Sequence, residues 1–188
     1  MEQSKSQRIK VSMNHGLIVG LILVAMSVLV WITHIKTTGL FQYFHWAVLI
    51  GAVYHSIKTW RDQYCRGYIR YGQALGFGIR VMFFASVIFG FYTMLFLNWI
   101  DPDSVEESLS AVEEAYYSMG FPDDQIEQFM VIAQGMQTPG WQVISTIFGT
   151  TFLGLLISLI VSIFVKKEGD PFQSAMERVQ DEGARENQ

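Results

Sequence analysis

Four stretches of this chain are long, apolar and nearly free of charge: roughly residues 16–35, 40–57, 74–100 and 141–165. About 20 helical residues rise about 30 Å, the thickness of a bilayer's hydrocarbon core, so each stretch is of a length to cross a membrane. A helix in a water-soluble core is rarely apolar all round for so long. The expected fold is therefore all-α: a polytopic membrane protein built as a four-helix transmembrane bundle, with an extracytoplasmic helical hairpin between spans 3 and 4.

The cations orient the spans. Lys5, Arg8 and Lys10 precede the first, Lys58, Arg61, Arg66 and Arg70 follow the second, and Lys166 and Lys167 close the fourth. Four crossings put these groups on one side, which the positive-inside rule makes the cytoplasm, with both termini there. The gap after span 1 holds only Lys36, and the segment 101–139 holds nine carboxylates and no Lys or Arg. The net charge of -4 averages two unlike faces and says nothing about partners. One membrane domain over residues 1–167 is expected, then a disordered cytoplasmic tail over 168–188 with few apolar residues to bury.

Aromatic residues fall near the span ends. Trp31, Phe41, Tyr43, Trp46, Trp99 and Trp141 mark the outer level, and Trp60, Tyr64, Tyr68 and Tyr71 the inner one, as expected of anchoring belts. The basic cluster from Lys58 to Arg70 lies where anionic headgroups would meet it, so lipid contact accounts for it and no nucleic-acid partner is expected. Cys65 is the only cysteine and lies on the reducing side, which leaves no disulfide or thiolate metal site. A cleaved signal peptide is disfavoured for the first span, whose apolar run is too long and whose end lacks a small-residue cleavage pattern.

No motif of a catalytic, metal or cofactor site is present. His45 and His55 are ten residues apart and so about 80° out of phase on one helix, while His15 and His34 belong to opposite surfaces. Asp101, Asp103, Glu106 and Glu107 lack calcium-loop spacing and read as a solvated helix face. Without a nucleophile elbow, phosphate loop or nucleotide fingerprint, the expectation is a protein that is not an enzyme and carries no cofactor.

Within the spans, the fourth has the clearest pattern: Thr146, Thr150, Gly154, Ser158 and Ser162 recur at every fourth position. Such a stripe suits close helix packing and interhelical hydroxyl bonds, although hydroxyls also bond back to their own helix. Gly16 with Gly20, and Gly72 with Gly76, are shorter stripes of the same kind. Arg80 is the one charge inside a span, on the face of Gly72 and Gly76, which points it toward the bundle interior. Two readings stay open for it: a guanidinium that snorkels or holds a structural hydrogen bond, and a contact to an anion or lipid.

The outer segment reads as two short amphipathic helices. Asp101-Pro102 looks like a cap with proline at the first position, followed by Val105, Leu109, Val112 and Tyr116 at helical spacing until Gly120. Asp123 and Asp124 open the second, with Ile126, Phe129, Met130, Ala133 and Met136 on its apolar side. Thr138-Pro139 repeats the cap device for the fourth span. The pair is expected to lie on the membrane or over the bundle mouth.

Several segments together resemble a known family: YIRYGQA at Tyr68 to Ala74, Asn98-Trp99-Ile100 followed by Asp101-Pro102-Asp103, PDDQIEQ from Pro122, Thr138-Pro139-Gly140 and the closing LLISLIVSIFVKK. In order and spacing they are similar to the bacterial membrane proteins grouped as domain of unknown function 4199, over about residues 12 to 168. The resemblance implies a four-span inner-membrane protein of Gram-negative bacteria and carries over no site residues. One departure is His15, where the family pattern usually has an aromatic residue before the first glycine.

Two functional classes follow. In one the protein is a non-catalytic accessory or assembly subunit, packed in the lipid bilayer against a larger membrane partner or its own copies. In the other it is a small-molecule or lipid transporter or channel-like protein, with Arg80 and the span-4 hydroxyl stripe lining a path. Four short spans with a single charge and no broken helix favour the first.

Overall fold

Helix α3 (Tyr71–Leu95) is the axis of the molecule. The structure, a computed structural model describing residues 2–33, 40–65 and 67–167, flanks it with α1 (Glu2–Thr33), α2 (Leu40–Tyr64) and α6 (Pro139–Val165). Between α3 and α6 lie α4 (Asp103–Ser118) and α5 (Asp123–Gly135). The expectations for residues 34–36, Arg66, the side chains of Lys5 and Phe41 and the tail 168–188 fall outside the described residues.

Among the described residues, three helices are long and apolar enough to cross a membrane, over Ser6–Thr33, Tyr71–Ile100 and Pro139–Val165. The stretch 40–57 is not among them, because Gln42, Tyr43, His45, Tyr54 and His55 dilute its apolar run. Yet α2 has a buried stripe at helical spacing, Leu49, Val53, Ser56, Ile57 and Trp60, which packs it along the bundle. That stripe corrects one expectation: Trp60 is no belt residue. It is 3% exposed and stacks on Phe77 with ring centroids 4.5 Å apart, because its position continues the i, i+4, i+7 face of Val53 and Ile57.

Glycines set the helix directions. A methyl group placed on Gly16 would lie 2.5 Å from Phe84 Cβ and 2.8 Å from the Val81 carbonyl oxygen, and one on Gly20 would lie 3.1 Å from the Ala85 carbonyl oxygen. Further along, Tyr92 Oη donates to Ser27 Oγ at 3.3 Å and Trp31 meets Phe96 edge-on at 5.7 Å. Both sequences ascend together, so α1 and α3 are parallel. Against α6 the order reverses: Gly78 abuts Ser158, Met82 abuts Gly154, and Gly90 faces Ile147 and the Val143 carbonyl, so α6 is antiparallel to α3. The last turns of α2 end beside the beginnings of α1 and α3, where Trp60 meets Phe77 and, with Gln63 and Tyr64, faces Gln7, Arg8 and Val11.

At this basic end the chain is tied by a two-residue antiparallel bridge. Ile69 N–H donates to the Lys167 carbonyl at 2.9 Å and Lys167 N–H to the Ile69 carbonyl at 3.1 Å. Gly67, at φ +80°, reverses the chain after α2 so that its N–H returns to the Arg61 carbonyl at 3.0 Å, a conformation that favours glycine.

The acidic end is organised by Asp101. Helix α3 runs on into a π-helical turn, Phe96–Ile100, closed by Asp101 N–H donating to the Phe96 carbonyl at 2.8 Å. The Asp101 carboxylate then accepts from the Ser104 N–H at 3.3 Å, from Ser104 Oγ at 2.7 Å and from Trp31 Nε1 at 3.0 Å. It caps α4 and holds the far end of α1 at once. Asp101→Ala is expected to cost about 1–2 kcal/mol, the usual worth of a cap. The check is unfolding in detergent together with hydrogen exchange: amides 104–106 should exchange faster while those in the middle of α6 stay protected. Thr138, in contrast, caps nothing with its side chain, which donates to the Gly135 carbonyl at 3.3 Å, although Pro139 does open α6.

Helices α4 and α5 meet through Tyr116, Phe121 and Phe129, whose ring centroids are 5.1 to 5.9 Å apart, around the positive-φ turn at Gly120. Ile126 is buried, but Phe129 and Met136 of the same expected apolar side are exposed. Among the described residues the pair joins the bundle chiefly at the π-helical turn.

Candidate functional site

Two regions bear on function: the seam of α3 with α6, where the sequence placed its candidates, and a crevice at the basic end. Of the stripe on α6, Gly154 and Ser158 are buried against α3 and Ser162 is also buried, while Thr146 and Thr150 are half-buried. Among the described residues Ser158 Oγ and Ser162 Oγ have no hydrogen-bond partner, so neither is seen to link helices or to bond back to α6. The hydroxyl bond across the seam is made one position off the stripe, between Ser86 and Thr151 at 2.9 Å, with Ser86 Oγ also 2.7 Å from the Phe83 carbonyl. Near the acidic end Asn98 Nδ2 donates to Gln142 Oε1 at 2.8 Å, and the buried Gln142 passes the chain on by donating to the Gln137 carbonyl at 3.0 Å. These polar links were missed because regular four-residue spacing drew attention to small residues rather than to the facing partner.

Arg80 does not lie on a packed glycine face. Gly72 has open space around it, and a methyl group on Gly76 would meet only Arg80's own Nη2, at 3.6 Å. The packing glycines of α3 are Gly78 and Gly90, on the face of Met82 and Ser86. Arg80 lies off that face, about 160° around the helix from Gly78 and Met82; it is half-buried, and its Nε donates to the Gly76 carbonyl at 2.8 Å. Helical side chains lean toward the N-terminus, which carries this guanidinium back toward the basic end. The structure thus gives the Arg80 guanidinium a hydrogen bond back to its own helix.

The crevice lies between α1 and the end of α2 and has a volume of about 320 Å³. Gln7, Arg8, Val11, Trp60, Gln63, Tyr64 and Cys65 line it, and sequence reasoning assigned none of these to a common site. Their nearness follows from the return of α2 beside α1, which no local pattern encodes. Around it, Arg61 is already engaged: Nε donates to Asp62 at 2.7 Å and Nη1 to the Val165 carbonyl at 3.2 Å, closing the end of α6. The Arg61 hydrogen bond holds the Asp62 carboxyl below the usual carboxylate range, and the same bond raises Arg61. Burial pushes the Cys65 thiol up, so it stays protonated at neutral pH. Lys58 and Lys167 sit over the rings of Tyr54 and Tyr68 at 5.8 and 5.6 Å.

Among the described residues no three His, Cys, Asp or Glu side chains converge as a metal site. His15 packs edge-on to Phe77 at 6.0 Å, and His55 Nε2 lies 3.5 Å from Thr59 Oγ1. Asp101 is committed to Trp31 and Ser104.

The model of a protein family described as "Protein of unknown function (DUF4199)" matches residues 14–167. The chain belongs to the DUF4199 family. The match begins one residue before His15 of α1 and ends on Lys167 of the two-residue bridge, so it takes in α2 to α6 and the later part of α1, while Gln7, Arg8 and Val11 in the first turns of α1 precede it. No curated protein and no solved structure matches the chain.

Proposed function

We propose that this DUF4199 protein is a non-catalytic accessory or assembly subunit of a complex in the bacterial inner membrane. The observation that carries the reading is the closure of the bundle. At Gly16, Gly78 and Gly154 the helices approach so nearly that a single methyl group would collide, and at Gly20 and Gly90 it would be tight, so the α1–α3 and α3–α6 seams are filled. Such seams hold helices in fixed positions and give a substrate path no room between them. The outward faces offer the remaining surface: on α6, Phe148, Ile160 and Phe164 are 74%, 61% and 75% exposed.

Four crossings are part of the proposal. Because α1 and α3 run parallel, the chain must return between them, and α2, of 25 residues and about 37 Å, is long enough to do so. Cytoplasmic placement of the basic end and extracytoplasmic placement of α4 and α5 follow from the cation distribution. Cysteines introduced at Glu114 and Lys167, in a background with Cys65 replaced, should label from opposite faces. Labelling of both from one face would overturn the topology.

The accessory role is tested with a photo-crosslinking residue at Phe148 or Phe164 in intact membranes. A discrete adduct to a membrane protein, or to a second copy, is expected. Adducts to lipid alone at both positions would sink the reading.

A further inference from the structure

We propose that the crevice between α1 and α2 is a binding site for a phosphate mono- or diester, gripped by Arg8 with the amides of Gln7 and Gln63. This does not rest on the accessory role.

The argument begins with which cation is free to act. Among the described residues the one ion pair is Arg61–Asp62, and the other arm of Arg61 is spent on the Val165 carbonyl. Lys58 and Lys167 lie over aromatic rings. Arg8 lines the crevice, and no described carboxylate pairs with its side chain. Its planar fork matches two oxygens of one phosphate, a geometry lysine does not offer.

The rest of the lining suits the same group. Gln7 and Gln63 bring amide N–H donors from the two facing helices, and Tyr64 brings a phenol. Among the described residues no carboxylate lines the crevice, and Cys65 adds no negative charge because burial keeps its thiol protonated. Its wall is apolar and stiff: Val11 on one side and, on the other, the Trp60 indole, held parallel to Phe77 within 6°. A volume of about 320 Å³ lies at the lower end of ordinary ligand pockets and accommodates a phosphoglycerol group without its chains. Lys10 and Lys58, each two residues along the chain from a lining residue, Arg8 and Trp60, add positive charge to this end of the bundle without lining the crevice.

A phosphate of this size has two sources, the headgroup of an anionic phospholipid and a small free phosphate ester. The test therefore has two arms, both on the purified full-length protein in neutral detergent. One titrates short-chain phosphatidylglycerol and the other glycerol phosphate, with bound ligand counted by native mass spectrometry. Arg8→Gln and Gln63→Leu are compared with Lys10→Gln, a charge loss outside the crevice. All three positions are exposed, and thermal unfolding verifies that each variant is folded. The expected result is an about tenfold loss of affinity in Arg8→Gln and a smaller one in Gln63→Leu, with Lys10→Gln within about twofold of the parent. The arm in which this pattern appears identifies the source. Equal weakening by Arg8→Gln and Lys10→Gln in both arms means diffuse surface attraction and overturns the site, as does binding unaffected by Arg8→Gln. A crosslinked protein partner at Phe148 has no bearing on this outcome, so the two proposals fail separately.

Discussion

Gly154→Leu should be among the most damaging single substitutions in the membrane domain, lowering stability by about 3 kcal/mol or more and the melting temperature in detergent by roughly 10 °C. A Cβ at this position would collide with Met82 Cβ and Cγ, which belong to the neighbouring helix and are fully buried. The helices cannot separate locally, since Gly78 on Ser158 and Gly90 on Ile147 fix the same seam above and below. The internal comparison is Gly149→Leu, on the same helix with open space around its Cβ, where leucine's better helix propensity should leave stability unchanged or slightly raised. A pair of melting curves decides it: equal shifts for the two variants would mean that α6 is not held to α3 by close approach.

Trp60→Ala is the second large effect, expected at about 3–5 kcal/mol, the range for removing a large aromatic side chain from a core. The indole is 3% exposed and lies parallel to Phe77, itself fully buried, so truncation leaves a cavity at the point where α2 joins α3. Trp99→Ala is the control. Trp99 is 80% exposed on the π-helical turn, and its loss should change detergent stability by less than about 0.5 kcal/mol. Were Trp60→Ala as mild as Trp99→Ala, Trp60 would be a surface anchor after all.

These two residues also show what a one-dimensional reading reaches. Both were assigned to interfacial belts, because Trp near a span end is what a belt looks like. The information that separates them is the register of Trp60 with Val53 and Ile57, visible in the sequence as spacing but overruled there by the residue type. Likewise the glycines of α3 were read by repetition, which selected Gly72 and Gly76, whereas packing uses Gly78 and Gly90, which share a face with Met82 and Ser86. Repetition reports that a stripe exists and not which helix faces it. Membrane character, the helical outer segment and the opening of α5 were legible because each depends on local composition or on one cap. The crevice lined by Arg8, Gln63 and Trp60 was not, since it joins residues about fifty positions apart through the return of α2.

The two faces of α3 have a consequence for how the protein is made. One face packs on α1, a helix that precedes α3 in the chain. The other, with Gly78, Met82 and Ser86, waits for α6, the last of the described helices to be synthesised. During that interval α3 presents to lipid a groove of bare backbone and a serine. Any insertion factor or membrane protease that senses unassembled helices therefore has a defined window and a defined surface to read. When α6 docks, the Ile69–Lys167 bridge fastens the last described residues to the loop that precedes α3, so closure of the basic end and disappearance of that surface go together.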